Sequence, residues 1–309
     1  MDYKELRKHM KHIFVMNPVS GVRNQIEETK QEINKYLTSD EAVFYETKGH
    51  GDAIIFVSEF ITAHPNQHLR FYACGGDGTL NEVVNGAIIG GDLVEVANLP
   101  IGSANDFLKY FSDRNFKNYQ NIINGEVVKV DLLKINDRYG LNVFNVGFDA
   151  KVVVYQRKLK KLPLVSGKMA YKLGVVASLF GKMAHKMCVT IDDEVVYDGK
   201  TTMVAVANAI CYGGGFYCAP IAKVNDGLLD ACVVKKVSLP TFAKLINIYK
   251  RGEHLESEKT KDYVIYKQGQ KITIEIDKPI YYAIDGELGK SNIITLEIIP
   301  CALNFVIAK

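Results

Sequence analysis

The strand-like run Leu69–Cys74 (LRFYAC) passes without a spacer into Gly75-Gly76-Asp77-Gly78, and a helical stretch, Thr79–Ile89, begins at once. Few folds accommodate such a junction. Three glycines in four positions let the backbone approach a neighbour or a ligand more closely than side chains would permit. They also leave amide N–H groups at a helix N-terminus, where dipole and hydrogen bonds favour a phosphate. Asp77 would repel a bare phosphate, so its natural partner is a divalent cation at the nucleotide, held directly or through water. A tight strand–helix turn with Thr79 as N-cap is the simpler alternative, but it needs neither the third glycine nor the carboxylate. The loop is not of the Walker type: the nearest approach, Gly289-Lys290-Ser291, has Ile284 where the first glycine belongs. Nor is it the dinucleotide spacing G-x-G-x-x-G, because Asn81 stands at the third position.

Around this junction the pattern alternates. His12–Asn17, Ala42–Glu46, Leu69–Cys74 and Val94–Leu99 read as strands; Asn24–Leu37, Asp52–Ala63, Thr79–Ile89 and Ala104–Phe111 read as helices. Repeated strand–helix units with short loops predict an α/β domain with a parallel sheet. From about Val127 the texture changes to strands: Val128–Ile135, Leu141–Val146, Met187–Ile191, Glu194–Tyr197, Met203–Ala209, Leu229–Val234, Lys271–Ile276, Ile280–Ile284 and Ile293–Ile299. Turn signals separate them at Asp192-Asp193, Asp198-Gly199, Asn225-Asp226-Gly227 and Asp285-Gly286, which predicts a β-rich sandwich. Helical insertions are expected near Gly167–Met183 and Leu239–Arg251. The expected fold class is therefore α/β in two domains. An N-terminal nucleotide-binding domain covers 1–127, with 298–309 returning to it, and a C-terminal β-sandwich domain covers 128–297. The active site is expected in the cleft between them.

Composition narrows the function classes. A net charge of +3 gives no nucleic-acid footprint. The six cysteines form no C-x-x-C pair, which argues against a zinc site or a disulfide framework and fits a reducing cytoplasm. No apolar run approaches the roughly 20 residues that span a bilayer, and the first residues lack the apolar core of an export signal. The small net charge hides a strong polarity, because Lys151–Met187 holds nine Lys/Arg and no Asp or Glu. Leu159, Leu162, Leu164, Val165, Leu173, Val176, Leu179 and Phe180 are interleaved with these cations. Such a run is usually a solvated face, but it also suits reversible docking on an anionic membrane.

Further motifs accompany the glycine loop. Asn17-Pro18-Val19-Ser20-Gly21 follows the first strand, and Leu99-Pro100-Ile101-Gly102-Ser103-Ala104-Asn105-Asp106-Phe107 follows the fourth. Later come Gly213-Gly214-Gly215, Ala219-Pro220, Asn225-Asp226-Gly227-Leu228-Leu229-Asp230 and Asp285-Gly286-Glu287. In this order, and over nearly the whole chain, they resemble the diacylglycerol-kinase catalytic-domain family, specifically its soluble bacterial lipid kinases. The resemblance implies an ATP-dependent kinase that uses Mg2+ and acts on a lipid hydroxyl, with diacylglycerol the first expectation. Asn17, Pro18, Ser20, Gly21 and Thr47 would contact the nucleotide. Gly75, Gly76, Asp77, Gly78 and Thr79 would cradle its phosphates, with Asn81, Glu82 and Ser103 close by. Ser103 stands where the family usually has threonine. Asp226 would hold a structural magnesium with backbone oxygens of Lys223 and Leu228, and Asp131 would join that metal through water. Asp285 would be the general base, with Glu287 as its partner.

Bottom-up chemistry is compatible with these roles, since phosphoryl transfer asks for positioning, charge neutralisation and a base for the alcohol proton. On local sequence alone, however, Asp285-Gly286 reads first as a two-residue hairpin turn. Asn225-Asp226-Gly227 reads equally well as turn chemistry, and Glu82 as an acidic residue favoured in a first helical turn. With a lipid substrate, the basic stretch and the lack of a spanning run lead to the expectation of a peripheral enzyme at the inner face of the membrane, and the small net charge to that of no nucleic-acid partner. The resemblance suits a place in phospholipid biosynthesis and is compatible with a homodimer. The alternatives are a different lipid substrate (a sphingoid base, ceramide or phosphatidylglycerol) and an NAD kinase-like activity on a soluble nucleotide. A regulatory module that has lost catalysis would have little use for Asp77, Asp226, Asp285 and Glu287 together.

Overall fold

A computed structural model describes residues 10–21, 25–38, 41–102, 104–160, 162, 165 and 167–309. Ser103, Lys161 and Leu164 lie outside the described residues, as do Asn24 at the expected helix start and the side chain of Lys168. The chain divides into two compact units, residues 1–132 with 300–309, and residues 133–299.

Unit 1 alternates β1 (Lys11–Met16), α1 (Gln25–Ile33), β2 (Ala42–Glu46), α2 (Asp52–Ala63), β3 (Leu69–Gly75), α3 (Asp77–Ala87) and β4 (Val94–Pro100). A short helix α4 (Tyr119–Ile123) and strand β5 (Glu126–Ile135) follow. The four N-terminal strands pair in parallel in the order β4-β3-β1-β2. Every residue of β3 is buried, as expected of a strand covered on both faces. The expected helix Ala104–Phe111 does not form. Asn105 adopts φ +49°, which a right-handed helix cannot contain, and only a 3-10 turn, Phe107–Phe111, remains.

Unit 2 contains β6 (Arg138–Gly140), β7 (Val143–Gly147), helices α5 (Phe148–Leu159) and α6 (Gly167–Leu179), β8 (His185–Ile191), β9 (Glu194–Ala207) and β10 (Leu229–Lys235). Helix α7 (Leu239–Lys250) precedes β11 (Val264–Gly269), β12 (Lys271–Ile284) and β13 (Glu287–Ile307). Pairings β7–β9, β9–β8, β8–β12 and β12–β7 are all antiparallel and close on themselves. Alternation along β12 sends Ile272, Ile274 and Ile276 into one core with Val204, Val206, Ala231 and Val233. The opposite face of the sheet, including Met203, Ala205 and Cys232, packs with Phe148 and Val152 of α5 and Tyr249 of α7.

Two turn expectations are overturned here. Glu194–Tyr197 and Met203–Ala209 belong to one strand, because Asp198 and Gly199 pair with Cys188 and Met187 in the β8 ladder. Likewise Lys271–Ile276 and Ile280–Ile284 form a single strand, β12, whose register slips between Glu275 and Ile280. Asp192-Asp193 and Asp285-Gly286 are true hairpin turns, with positive φ at both positions. Beyond unit 2, β13 runs on, and its residues Asn304–Val306 pair in parallel with β4 in unit 1.

Across the parallel sheet the register aligns His12 with Arg70 and Arg70 with Glu95, and all three are buried. Arg70 Nε donates to Glu95 Oε2 at 2.6 Å and its Nη1 to the carbonyl of Ile123 at 2.6 Å. His68 Nε2 lies 3.3 Å from Glu95 Oε1. Burial alone would raise the Glu95 carboxyl, but the His68 hydrogen bond and Arg70 outweigh it and hold the group at about 2. Burial, aided by Arg70, pushes the His12 imidazole down to about 4. Both groups bind fewer protons folded than unfolded, so both contribute stability that is lost on acidification. His12 acts from its ordinary value of 6.5 down to about 4, and Glu95 from 4.5 down to about 2. The melting temperature should therefore fall as pH drops from 6.5 to 4. In His12→Gln that part of the slope, worth roughly 3 kcal/mol at its full extent, should flatten. Thermal melts of the two proteins across this pH range check it.

Candidate active site

In unit 1 the glycine loop is the junction of β3 and α3. Gly76 is the N-cap of the helix, in an extended conformation, and has no side chain of its own to cap the first N–H groups. The three glycines do different work. A Cβ on Gly75 would lie 2.3 Å from Thr79 Oγ1, so this glycine serves packing. Gly76 faces the backbone of Gly102, where a Cβ on Gly102 would come within 2.4 Å of Gly76 Cα. Gly78 has nothing within 4 Å of the position its Cβ would take. The open side of the loop is thus at Gly78, in the first turn of α3, and a helix N-terminus open on that side can receive an anion.

The surrounding residues converge on this loop. Asn17 Nδ2 donates to Thr79 Oγ1 at 3.0 Å, while its Oδ1 accepts from Val19 N, which holds the turn through Pro18, Ser20 and Gly21. Thr47 is buried, and its N–H donates to Met16 O, next to Asn17. Asp77 Oδ1 accepts the amide of Asp106 at 2.7 Å, so one oxygen of this carboxylate fastens the loop that follows β4. Glu82 Oε1 accepts from Gly51 N at 2.9 Å and lies 3.0 Å from His50 Nδ1, which ties α3 to the start of α2. Asn81 is buried. Asp131, fully buried, accepts from Cys301 N at 2.7 Å and stabilises the positive φ of that residue.

In unit 2 the Asp285-Gly286 turn joins β12 to β13, with Ile284 opposite Glu287. The Asp285 carboxylate accepts three consecutive backbone amides: Leu141 at 2.7 Å on Oδ2, and Asn142 and Val143 at 3.1 and 2.9 Å on Oδ1. Its own N–H donates to Val143 O at 3.0 Å. The turn reading holds, and the side chain of the same residue also clasps the entry into β7. These hydrogen bonds hold the carboxylate in a single orientation. Arg157 of α5 donates to Gly286 O at 2.8 Å and to Glu287 Oε2 at 2.9 Å.

Asp226 closes an Asx turn by accepting Leu228 N at 3.1 Å, with Gly227 at positive φ. Nearby Asp230 is fully buried; Tyr266 and Gln268 donate to its Oδ1, while Oδ2 has no hydrogen-bond partner among the described residues. Burial, together with the charge of Asp226, raises its carboxyl to about 6. Two neighbouring carboxylates, one with an unsatisfied oxygen, suit a hard cation that takes oxygen ligands. Among the described residues no group of three or more His, Cys, Asp or Glu side chains could hold a metal. A magnesium here would consequently rely on the carbonyls of Lys223 and Leu228 beside Asp226.

Sequence reading missed several residues. Asn98, Asn142 and Asn145 are buried with side-chain oxygens that have no partner among the described residues. Asn142 and Asn145 adjoin the Asp285 anchor, and their signal was polar residues inside the apolar run Leu141–Val146. Asp149, at the start of α5, accepts the hydroxyl of Tyr212, and burial pushes its carboxyl up to about 6.

Gly78→Ala should fold as well as the parent, because a helical glycine gives up roughly 0.5–1 kcal/mol to alanine, but it should weaken ATP binding at least several-fold. Gly102→Ala forces two backbones apart and should lower the melting temperature by several degrees or more. Calorimetric ATP titration and thermal melts separate the two effects.

Comparison with known proteins bears on the whole chain. The family model described as the diacylglycerol kinase catalytic domain matches residues 11–135, and that of the YegS C-terminal NAD kinase beta sandwich-like domain matches residues 142–307. The diacylglycerol kinase of Bacillus subtilis (strain 168) is 27% identical over 290 residues, covering 89% of each chain. The crystal structure of a diacylglycerol kinase from Bacillus anthracis str. Sterne superposes with a TM-score of 0.69 at 21% identity, over 96% of each chain, which bears on fold alone. The chain belongs to the diacylglycerol kinase catalytic-domain family of lipid kinases.

Proposed function

We propose that this lipid kinase transfers the γ-phosphate of ATP to a hydroxyl of diacylglycerol, yielding phosphatidic acid. The observation that carries the reading is the open space at Gly78, in the first turn of α3 after a glycine N-cap, in a chain of this family. Phosphates of ATP would sit against the Gly76–Thr79 amides, with Asn17 and Thr79 holding the loop in shape. Asp77 would lie at a nucleotide-bound cation, and Asn81, Glu82, Thr47 and the Pro18–Gly21 turn would complete the nucleotide contacts. Ser103 takes its place there by resemblance only.

Asp285 is the proposed general base. The substrate oxygen attacks the γ-phosphorus, the bond to the β–γ bridging oxygen breaks, and ADP leaves with that electron pair. The hydroxyl proton passes to Asp285, whose carboxylate the three amide donors hold in one orientation. Glu287, pinned by Arg157, sets the position of the hairpin. Mg2+ at Asp226, with the Lys223 and Leu228 carbonyls and a water link to Asp131, would be structural and supply charge balance to the buried carboxylates.

No described helix is long and apolar enough to cross a membrane. The basic segment around α5 and α6 supports peripheral contact with an anionic inner leaflet, which would bring the site to its lipid.

Labelled γ-phosphate transfer from ATP, with magnesium, to a panel of lipids in mixed micelles tests the reading, with NAD as the soluble control. Diacylglycerol should be the best acceptor; a better sphingoid base, ceramide or phosphatidylglycerol would change the substrate, and NADP as the only product would overturn the lipid reading. Asp285→Asn should reduce kcat by roughly two to four decades while ATP affinity stays within a few-fold. It should also cost about 1–3 kcal/mol of stability, because an amide NH2 then faces a backbone N–H. Turnover within a few-fold of the parent would remove Asp285 from the chemistry.

A further inference from the structure

Unit 2 holds a pocket of about 380 Å³, a size suited to a small-molecule site, between α5, the segment before β8, and the β12–β13 hairpin. Its walls divide by chemistry. Phe148, Val154, Met183 and Ile280 provide an apolar lining, while Lys151, Lys158, Lys182 and Lys290 bring four ammonium groups. None of the lining residues is acidic. Lys158 and Lys290 lie over the rings of Tyr155 and Tyr281, at 5.9 and 5.7 Å from the centroids. Lys151 donates to the carbonyls of Ser178 and Phe180. No ion pair with a carboxylate is formed by any of the four lysines among the described residues, although many other lysines of the chain have one.

The pocket therefore concentrates positive charge without a carboxylate counterion among the described residues. His185 in its wall registers this: burial first, then Lys182 and Lys151, lower its imidazole below the ordinary value. Like charges brought together at one concavity repel, at a cost that an anion removes. A bare inorganic anion would leave the apolar lining idle, and a neutral lipid would leave the lysines unanswered. An amphiphile with a phosphate at one end satisfies both.

We infer that this pocket binds the headgroup of a phosphate-bearing anionic lipid, as a site distinct from the glycine loop and from Asp285. The occupant would rest on α5, which also carries Arg157 and its contacts to Gly286 and Glu287, and on β12, which leads into Asp285. Anionic lipid at the pocket would thus act on the elements that carry the hairpin. The inference does not depend on the substrate proposed above, and binding can be measured without ATP or turnover.

The test titrates the intact protein calorimetrically with dihexanoyl phosphatidate below its micellar concentration. Dihexanoyl phosphatidylcholine, glycerol 3-phosphate and inorganic phosphate are the comparison ligands. Saturable one-site binding is expected for the phosphatidate, with the other three at least tenfold weaker. Lys158→Gln combined with Lys290→Gln should weaken phosphatidate binding about tenfold or more, as loss of charge-assisted hydrogen bonds requires. Melting temperature and ATP affinity should be unchanged. If the double variant folds poorly, Lys182→Gln, at an exposed position, gives the same reading. Affinity within twofold of the parent in folded variants would place the lipid elsewhere and overturn the inference. Equal binding of inorganic phosphate or glycerol 3-phosphate would make the site one for a soluble anion, and equal binding of phosphatidylcholine would make it merely apolar. Both outcomes also overturn it. Loss of kinase activity on diacylglycerol with phosphatidate binding intact would instead count against the proposed substrate alone.

Discussion

Three consecutive backbone amides pointing at one place cannot be satisfied by a strand, whose N–H groups alternate between its two edges. At Leu141–Val143, where the chain enters β7, that demand is met by the Asp285 carboxylate. The arrangement is reciprocal, since the Asp285 N–H returns a bond to Val143 O. Buried backbone donors left without partners would cost on the order of 1–3 kcal/mol each, so this residue is held by the fold as firmly as it holds the fold. The hairpin that carries Glu287, the contact with Arg157 and the entry into the β7–β9–β8–β12 ring all hang on that carboxylate. A group proposed to accept a proton is thereby also a structural clasp, and its orientation costs the reaction nothing at the moment of transfer.

The same economy governs unit 1. Gly75 is a glycine because the Thr79 side chain fills the place of its Cβ, Gly102 because the loop after β4 touches the backbone of Gly76, and of the three loop glycines only Gly78 faces open space. A glycine-rich loop of this kind is two devices superposed, one for packing and one for ligand approach. Asp77 shows the same doubling: its carboxylate stands in the glycine loop and fastens Asp106.

Much of this was legible in the sequence, and the limits have physical reasons. The strand–glycine–helix junction is local, so Leu69–Cys74 and the helix after it could be read directly. The contact between Gly76 and Gly102 joins loops far apart in the chain, and no local pattern encodes it. Asp198-Gly199 and Asp285-Gly286 carry the same dipeptide, yet one lies within β9 and the other turns. The difference is the β8 partner, which keeps pairing through Asp198 and Gly199. Helix α5 was missed because Val152-Val153-Val154 has strand propensity that tertiary packing overrides. The buried Asn142 and Asn145 were visible only as polar residues in an apolar run, which says that they matter but not how.

Strand β13 leaves unit 2 and ends as a parallel neighbour of β4. In effect unit 2 is an insertion within unit 1, and unit 1 is closed by a segment synthesised after the whole of unit 2. During translation the first 132 residues emerge with one edge of their sheet still open. They must wait for the better part of the remaining chain, on the order of ten seconds or more at ordinary elongation rates, before that edge is covered. The sandwich meets no such delay, so the order of maturation runs opposite to the order of synthesis. A stop codon or a tag within Pro300–Lys309 would accordingly injure unit 1, at the far end of the gene, while the β12–β13 pairing of unit 2 stayed in place.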